Sequence, residues 1–191
     1  MNKLSVLQNV KTVFTHPYPH ICIDEALPQS VYDELDSTFP EELICSTTPH
    51  DGGICYRYKA KECAQEAPPA IWQDFFAYHT SQEYFQECAR LFEPHIVEAY
   101  GDEFMHDMLT KDVSVRDVDT GGHYVADCQF VVHEPVDSSG TSRTPHVDNP
   151  VEIYAGLLYM RPRTDNSTGG NFTIHKTTGE IKEVNKSLGR Q

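Results

Sequence analysis

His146 and Asp148 stand one residue apart in "TPHVDNPVEIYAGLLYMRP", residues 144–162. Side chains at i and i+2 of an extended segment project from the same face. An imidazole and a carboxylate so placed can meet at one ion, with Val147 facing away. They supply two of the three ligands of the 2-His-1-carboxylate triad, which holds non-haem Fe(II) and leaves adjacent positions open for a cosubstrate and oxygen. An HxD triplet alone is weak evidence, because an exposed polar pair of this kind is common. A zinc hydrolase is the poorer alternative: there is no HExxH and no general base framed near the pair.

The surrounding order of features says more. After His146 and Asp148 comes the apolar run "GLLYMR" with Tyr159, then the polar "TDNSTGG" with Gly169 and Gly170, then "NFTIH". Near the start, "ICIDEALPQSVYDELDSTFP" forms an extended piece, a turn and a helix. This pattern resembles the Fe(II)- and 2-oxoglutarate-dependent oxygenases, in particular the prolyl-4-hydroxylase-like branch. The resemblance covers roughly residues 18–40 and 110–180; the helices between are less diagnostic.

The resemblance implies an α+β domain: a double-stranded β-helix (jelly roll) with N-terminal helices packed on one sheet. It implies Fe(II) on His146 and Asp148, and 2-oxoglutarate held in part by Tyr159. Ascorbate would serve as an auxiliary reductant. Gln129 is a further candidate for cosubstrate contact, and His133 and Asn149 for substrate contact. For Tyr159 the alternative is a strand tyrosine whose hydroxyl finds a local partner. For Gln129 and His133 the alternative is a plain position on a strand surface. Asn149 and Pro150 also suit a turn after the metal strand, and Gly169 and Gly170 suit backbone geometry rather than ligand contact. The implied reaction hydroxylates a C–H bond of a peptide side chain, prolyl or similar, or of a small molecule. A non-catalytic jelly-roll or cupin-like scaffold is the rival from a different class.

The family also needs a distal histidine and, soon after it, a cation for the far carboxylate of 2-oxoglutarate. On its fold these lie five strand-and-loop steps beyond the HxD, roughly 50 residues. The chain has 43 residues after Asp148. His175, 27 residues on, falls about three steps along and is not expected to be the third ligand. Arg190 follows it across the polar "KTTGEIKEVNKSLG", which has the character of a hairpin. The expectation is a domain truncated at its C-terminus, with the last strands of the barrel missing.

The rest of the chain must position this pair. Its 191 residues fit one domain, mainly helical over 1–110 and carrying the first part of the jelly-roll core over 111–191. Val31, Leu35 and Phe39 share a face of a helix opened by Pro28 and closed by Pro40. Residues 49–63 suit a loop or edge strand. Aromatic residues at helical spacing mark 70–78. Ser81 is the expected N-cap of a long helix that Pro94 kinks or breaks and Gly101 ends. Beyond Lys111, "DVSVRDV", "HYVADCQFVVHEP", "VEIYAGLLYMRP" and "GGNFTIHK" suit strands, the third of them a buried one, and "TTGEIKEVN" a turn into the next.

Composition narrows the partners. With 29 acidic and 15 basic residues the net charge is -14, which disfavours nucleic acid and anionic membranes. Hydrophobic residues make up 39%, enough for a packed core. No run is long and apolar enough to span a bilayer, and the N-terminus lacks the apolar core of a signal peptide. Six irregularly spaced cysteines without a CxxC pair suggest free thiols in a cytoplasmic protein.

Overall fold

A computed structural model of the chain describes residues 2–49, 55–133, 148, 151–160, 166, 168, 173–175 and 181–183. Backbone contacts divide the chain into two units, Met1–Pro135 and Val136–Gln191.

The first unit opens with an N-terminal segment anchored by the buried Leu4 and Leu7. Ser5 Oγ, fully buried, donates to Glu87 Oε2 at 2.7 Å and fixes this segment to a helix far along the chain. Helix α1, Gln29–Ser37, starts directly after Pro28 and buries Val31 and Leu35. A short α2, Glu41–Cys45, follows Pro40 and buries Ile44. Strand β1, Cys55–Lys59, runs into α3, Ala60–Gln65. Glu62 Oε2 accepts from the Lys59 N–H at 2.9 Å and closes the start of α3. The Tyr58 hydroxyl donates to the Glu62 and Glu66 carbonyls at the other end.

Helix α4, Ala70–His79, is apolar nearly all round, and most of its residues are buried. Ser81 caps α5, Gln82–Leu91, by accepting from the Tyr84 N–H, as the sequence suggests. The expected long helix is broken: Phe92 ends α5, and α6, Glu93–Tyr100, restarts with Pro94 in its first turn. Gly101, at φ 86°, separates α6 from α7, Asp102–Thr110. Gln82 ties α5 to the strands that follow, since its amide donates to the Lys111 carbonyl and accepts from the Val113 N–H. Phe85, Ala89, Met105 and Met108 form a buried cluster beneath Val113 and Tyr124.

Strands β2, Val113–Val115, and β3, Tyr124–Ala126, pair in parallel. Their eight-residue connection is short for a parallel link. It turns through Asp117 and Gly121, both at positive φ. Gly122 must also be glycine, because a Cβ there would lie 2.4 Å from the Ser114 backbone nitrogen. Strand β4, Gln129–His133, pairs antiparallel with β1, so that Lys59 faces Gln129, Arg57 faces Val131 and Cys55 faces His133. Inward from this ribbon, the Phe130 ring meets Trp72 and Phe76 at 4.7 Å, Phe39 at 5.6 Å and Tyr58 at 6.2 Å.

In the second unit, β5, Thr173–His175, and β6, Ile181–Glu183, make an antiparallel hairpin. The turn expected between them, over 176–180, lies outside the described residues. Two expectations fail. Residues 60–63, expected as loop or edge strand, lie in α3, where Glu62 closes the first turn. The run at 151–160 is neither strand nor buried: Val151 is 80% exposed and Leu157 68%. Its apolar residues signal burial, but the described residues offer it no strand to pair with. The α+β class holds, with β1 set among the helices. Among the described residues there are seven helices, and the strands pair only two by two, so no jelly roll is visible in them.

His79 generates a pH dependence. Its ring lies 3.9 Å from Phe75 and 4.5 Å from Tyr84, and Nδ1 is bonded to the Phe75 carbonyl at 2.8 Å. Nε2 is buried without a partner. Burial drives its pKa from 6.5 down to about 4, against weaker opposing effects from the Phe75 carbonyl and Glu87. The unfolded chain therefore takes up a proton that the folded chain refuses. Stability should fall as the pH drops from 6.5 towards 4, by up to about 3 kcal/mol from this group. Urea unfolding at pH 7.5 and 4.5 measures it, and His79→Phe should flatten that part of the profile. Gly122→Ala, measured the same way, should cost at least about 1 kcal/mol.

Candidate functional site

Asp148 is solvent-exposed. His146, Asn149, Gly169, Gly170 and Arg190 lie outside the described residues. Tyr159 sits on the exposed 151–160 run and is itself 40% exposed. Partial burial of the hydroxyl raises its pKa above the ordinary tyrosine range, so it is a protonated donor at neutral pH. The backbone of His175 lies on β5, opposite Ile181 in the hairpin.

The donor types at the HxD suit Fe(II): a neutral imidazole and a carboxylate, two residues apart. The exposure of Asp148 leaves its carboxylate within reach of an ion. Among the described residues no group of three His, Cys, Asp or Glu side chains is placed to hold a metal, and His146 is not one of those residues. The fit therefore rests on two ligands, with the third unassigned.

Gln129 and His133 belong to the first unit. Both are exposed and stand on the same face of β4, alternating with the buried Phe130. Four residues of strand put them about 13 Å apart, too far to share one small group. Gln129 Oε1 accepts from Arg57 Nη1 at 3.4 Å, and Lys59 is its cross-strand neighbour. Sequence reasoning passed over Arg57 and Lys59. Their signal was the alternation in "CYRYK", which sends two cations to one face of an edge strand.

Nearby, Arg116 Nη1 pairs with Asp127 Oδ2 at 3.5 Å. Burial raises the Asp127 carboxyl pKa, and Arg116 and Lys59 pull it back down. Cys128, against the start of α3, is pushed up to about 12 by burial, with Asp127 adding to the shift. At neutral pH it is a protonated thiol. None of the six cysteines is disulfide-bonded. No helix among the described residues is long and apolar enough to cross a membrane.

Comparison with protein-family models, with curated proteins and with solved structures gives no match to this chain.

The exposed and inward positions of β4 should separate on substitution. Gln129→Leu and His133→Leu are each expected to change unfolding free energy by no more than about 0.5 kcal/mol. Phe130→Ala should cost about 3–5 kcal/mol in the same chemical denaturation series.

Proposed function

We propose that this chain is an Fe(II)- and 2-oxoglutarate-dependent dioxygenase of the prolyl-4-hydroxylase-like type, built on a double-stranded β-helix and acting in the cytoplasm. One observation carries the reading: His146-Val147-Asp148 stands in frame with the Tyr159 run and the Gly169-Gly170 turn. Exposure of Asp148 supports it, because a metal ligand has to be reachable.

In this reading His146 and Asp148 hold the ion from one face of an extended segment. Bound iron with 2-oxoglutarate supplies the oxidising power for C–H hydroxylation. The work of the chain is to bind and orient. His146 donates a neutral nitrogen and Asp148 a full negative charge, which offsets part of the ionic charge. The Tyr159 hydroxyl, protonated at working pH, donates a hydrogen bond to a carboxylate of the cosubstrate. Asn149 offers an amide beside the ligands for a substrate carbonyl. The substrate class is a peptide side chain, prolyl or similar, or a small molecule. Ascorbate would keep the iron ferrous.

The exposed apolar run favours a second reading, a non-catalytic jelly-roll or cupin-like module. An uncovered apolar segment is a common mark of a binding surface. The two readings differ in whether a metal centre assembles.

Anaerobic titration with Fe(II) and 2-oxoglutarate, followed in the visible, decides between them. The dioxygenase reading expects a weak metal-to-ligand charge-transfer band that saturates with 2-oxoglutarate and is lost in His146→Ala and in Asp148→Ala. A band of equal strength in His146→Ala would remove that residue from the centre. Absence of any band would favour the binding module.

A further inference from the structure

The face of the β1–β4 ribbon turned away from Phe130 carries two positive charges close together. Arg57 and Lys59 stand two residues apart on β1, about 6.7 Å along the strand, and project from the face that carries Gln129, Val131 and His133. A guanidinium has five N–H donors. Among the described residues, the Arg57 side chain donates to Gln129 Oε1 at 3.4 Å. Among the described residues no carboxylate lies within ion-pair distance of Arg57 or Lys59. The nearest acids are otherwise engaged: Glu62 closes the Lys59 backbone N–H, and Asp127 pairs with Arg116. Arg57 has no acidic partner among the described residues, and Lys59 shares Asp127 with Arg116, helping to hold that carboxyl ionised.

The geometry of Gln129 adds to this. With its oxygen turned to Arg57, its amide NH2 becomes a further outward donor. Directly opposite it in the register stands Lys59. Two positive charges and a neutral donor thus share one face, with the Val131 side chain, 38% exposed, as an apolar strip beside Arg57. Arg57 can take a planar carboxylate through its fork, while Lys59 answers a second one as a point charge. The apolar strip suits the methylenes between them.

We propose that this face is a binding site for a short dicarboxylate, with Arg57 and Lys59 each receiving one carboxylate and Gln129 donating to the first. The assignment rests on the β1–β4 ribbon alone and needs no metal, although Gln129 is also the residue expected to touch the cosubstrate, itself a short dicarboxylate. This assignment and the iron reading can each fail without the other.

Isothermal titration calorimetry of the full chain with succinate, in EDTA to exclude metal, tests it. Saturable binding with one site per chain is expected. Arg57→Gln should weaken it by about tenfold or more, and so should Gln129→Glu, which sets a carboxylate where the ligand belongs. Gln129 is exposed, so that variant should keep the wild-type circular dichroism spectrum and melting temperature. Arg90→Gln, on the exposed side of α5, should bind as wild type does. Absence of saturable heat, undiminished binding in the folded Gln129→Glu chain, or inorganic phosphate binding as tightly as succinate would each overturn the assignment.

Discussion

Phe130 is the side chain on which the first unit turns. It is the inward residue of β4, and its ring is met by aromatic residues from β1, from α4 and from the turn after α1. These edge-on and tilted contacts join a two-stranded ribbon, which would be marginal in water alone, to a helical layer. They also set the phase of the strand. With Phe130 pointing in, Gln129, Val131 and His133 take the other face, and the paired register puts Arg57 and Lys59 there with them, beside a buried Cys55 opposite His133. A one-residue slip would bury the polar set and expose the ring. The chemistry available on that face follows from the packing of one phenyl group.

Much of the first unit could be read from residue order because its signals are local. A serine before an amphipathic run caps a helix, a proline two residues inside a new helix marks a break, and a glycine at positive φ marks its end. Ser81, Pro94 and Gly101 do these things here. The pairing of β1 with β4 was not local. Nothing in "CYRYK" names its partner, so the segment could be recognised as an edge strand and no more. The 151–160 run shows the opposite difficulty. Its composition is that of a buried strand, yet burial depends on what another part of the chain supplies, and the described residues leave it exposed. Of the candidate site, Asp148 could be named from its spacing to His146 and Tyr159 from the family resemblance; their accessibility could not. Arg57 went unnoticed because a lone arginine in an alternating segment looks like an ordinary solvated position until the register shows what stands beside it.

The two chemical surfaces make different demands on the chain. The HxD pair needs only an extended backbone to converge two ligands, which is why two residues suffice to suggest it. The β1–β4 face needs two strands in fixed register and a side-chain amide held in one orientation. Acidic composition bears on both. A strongly negative chain attracts cations generally, so a carboxylate with open solvent around it is well placed for a divalent ion. An anion, by contrast, has to be drawn to a local reversal of that field, and such a reversal exists where Arg57 and Lys59 stand together.

The same ribbon has a consequence for the order in which the chain acquires structure. Arg57 and Gln129 are separated by 72 positions, and α3 to α7 lie between β1 and β4. Closing so long a loop is entropically costly until the intervening helices have shortened it. Helices α4 to α7 are joined by near-neighbour contacts and short turns, and these can form first. The ribbon is therefore a late structure. During synthesis β1 emerges well before the strand that completes it, and it waits with its edges open while the helices gather. Its two cations are suited to that interval, because charged side chains on an open strand discourage pairing with another chain.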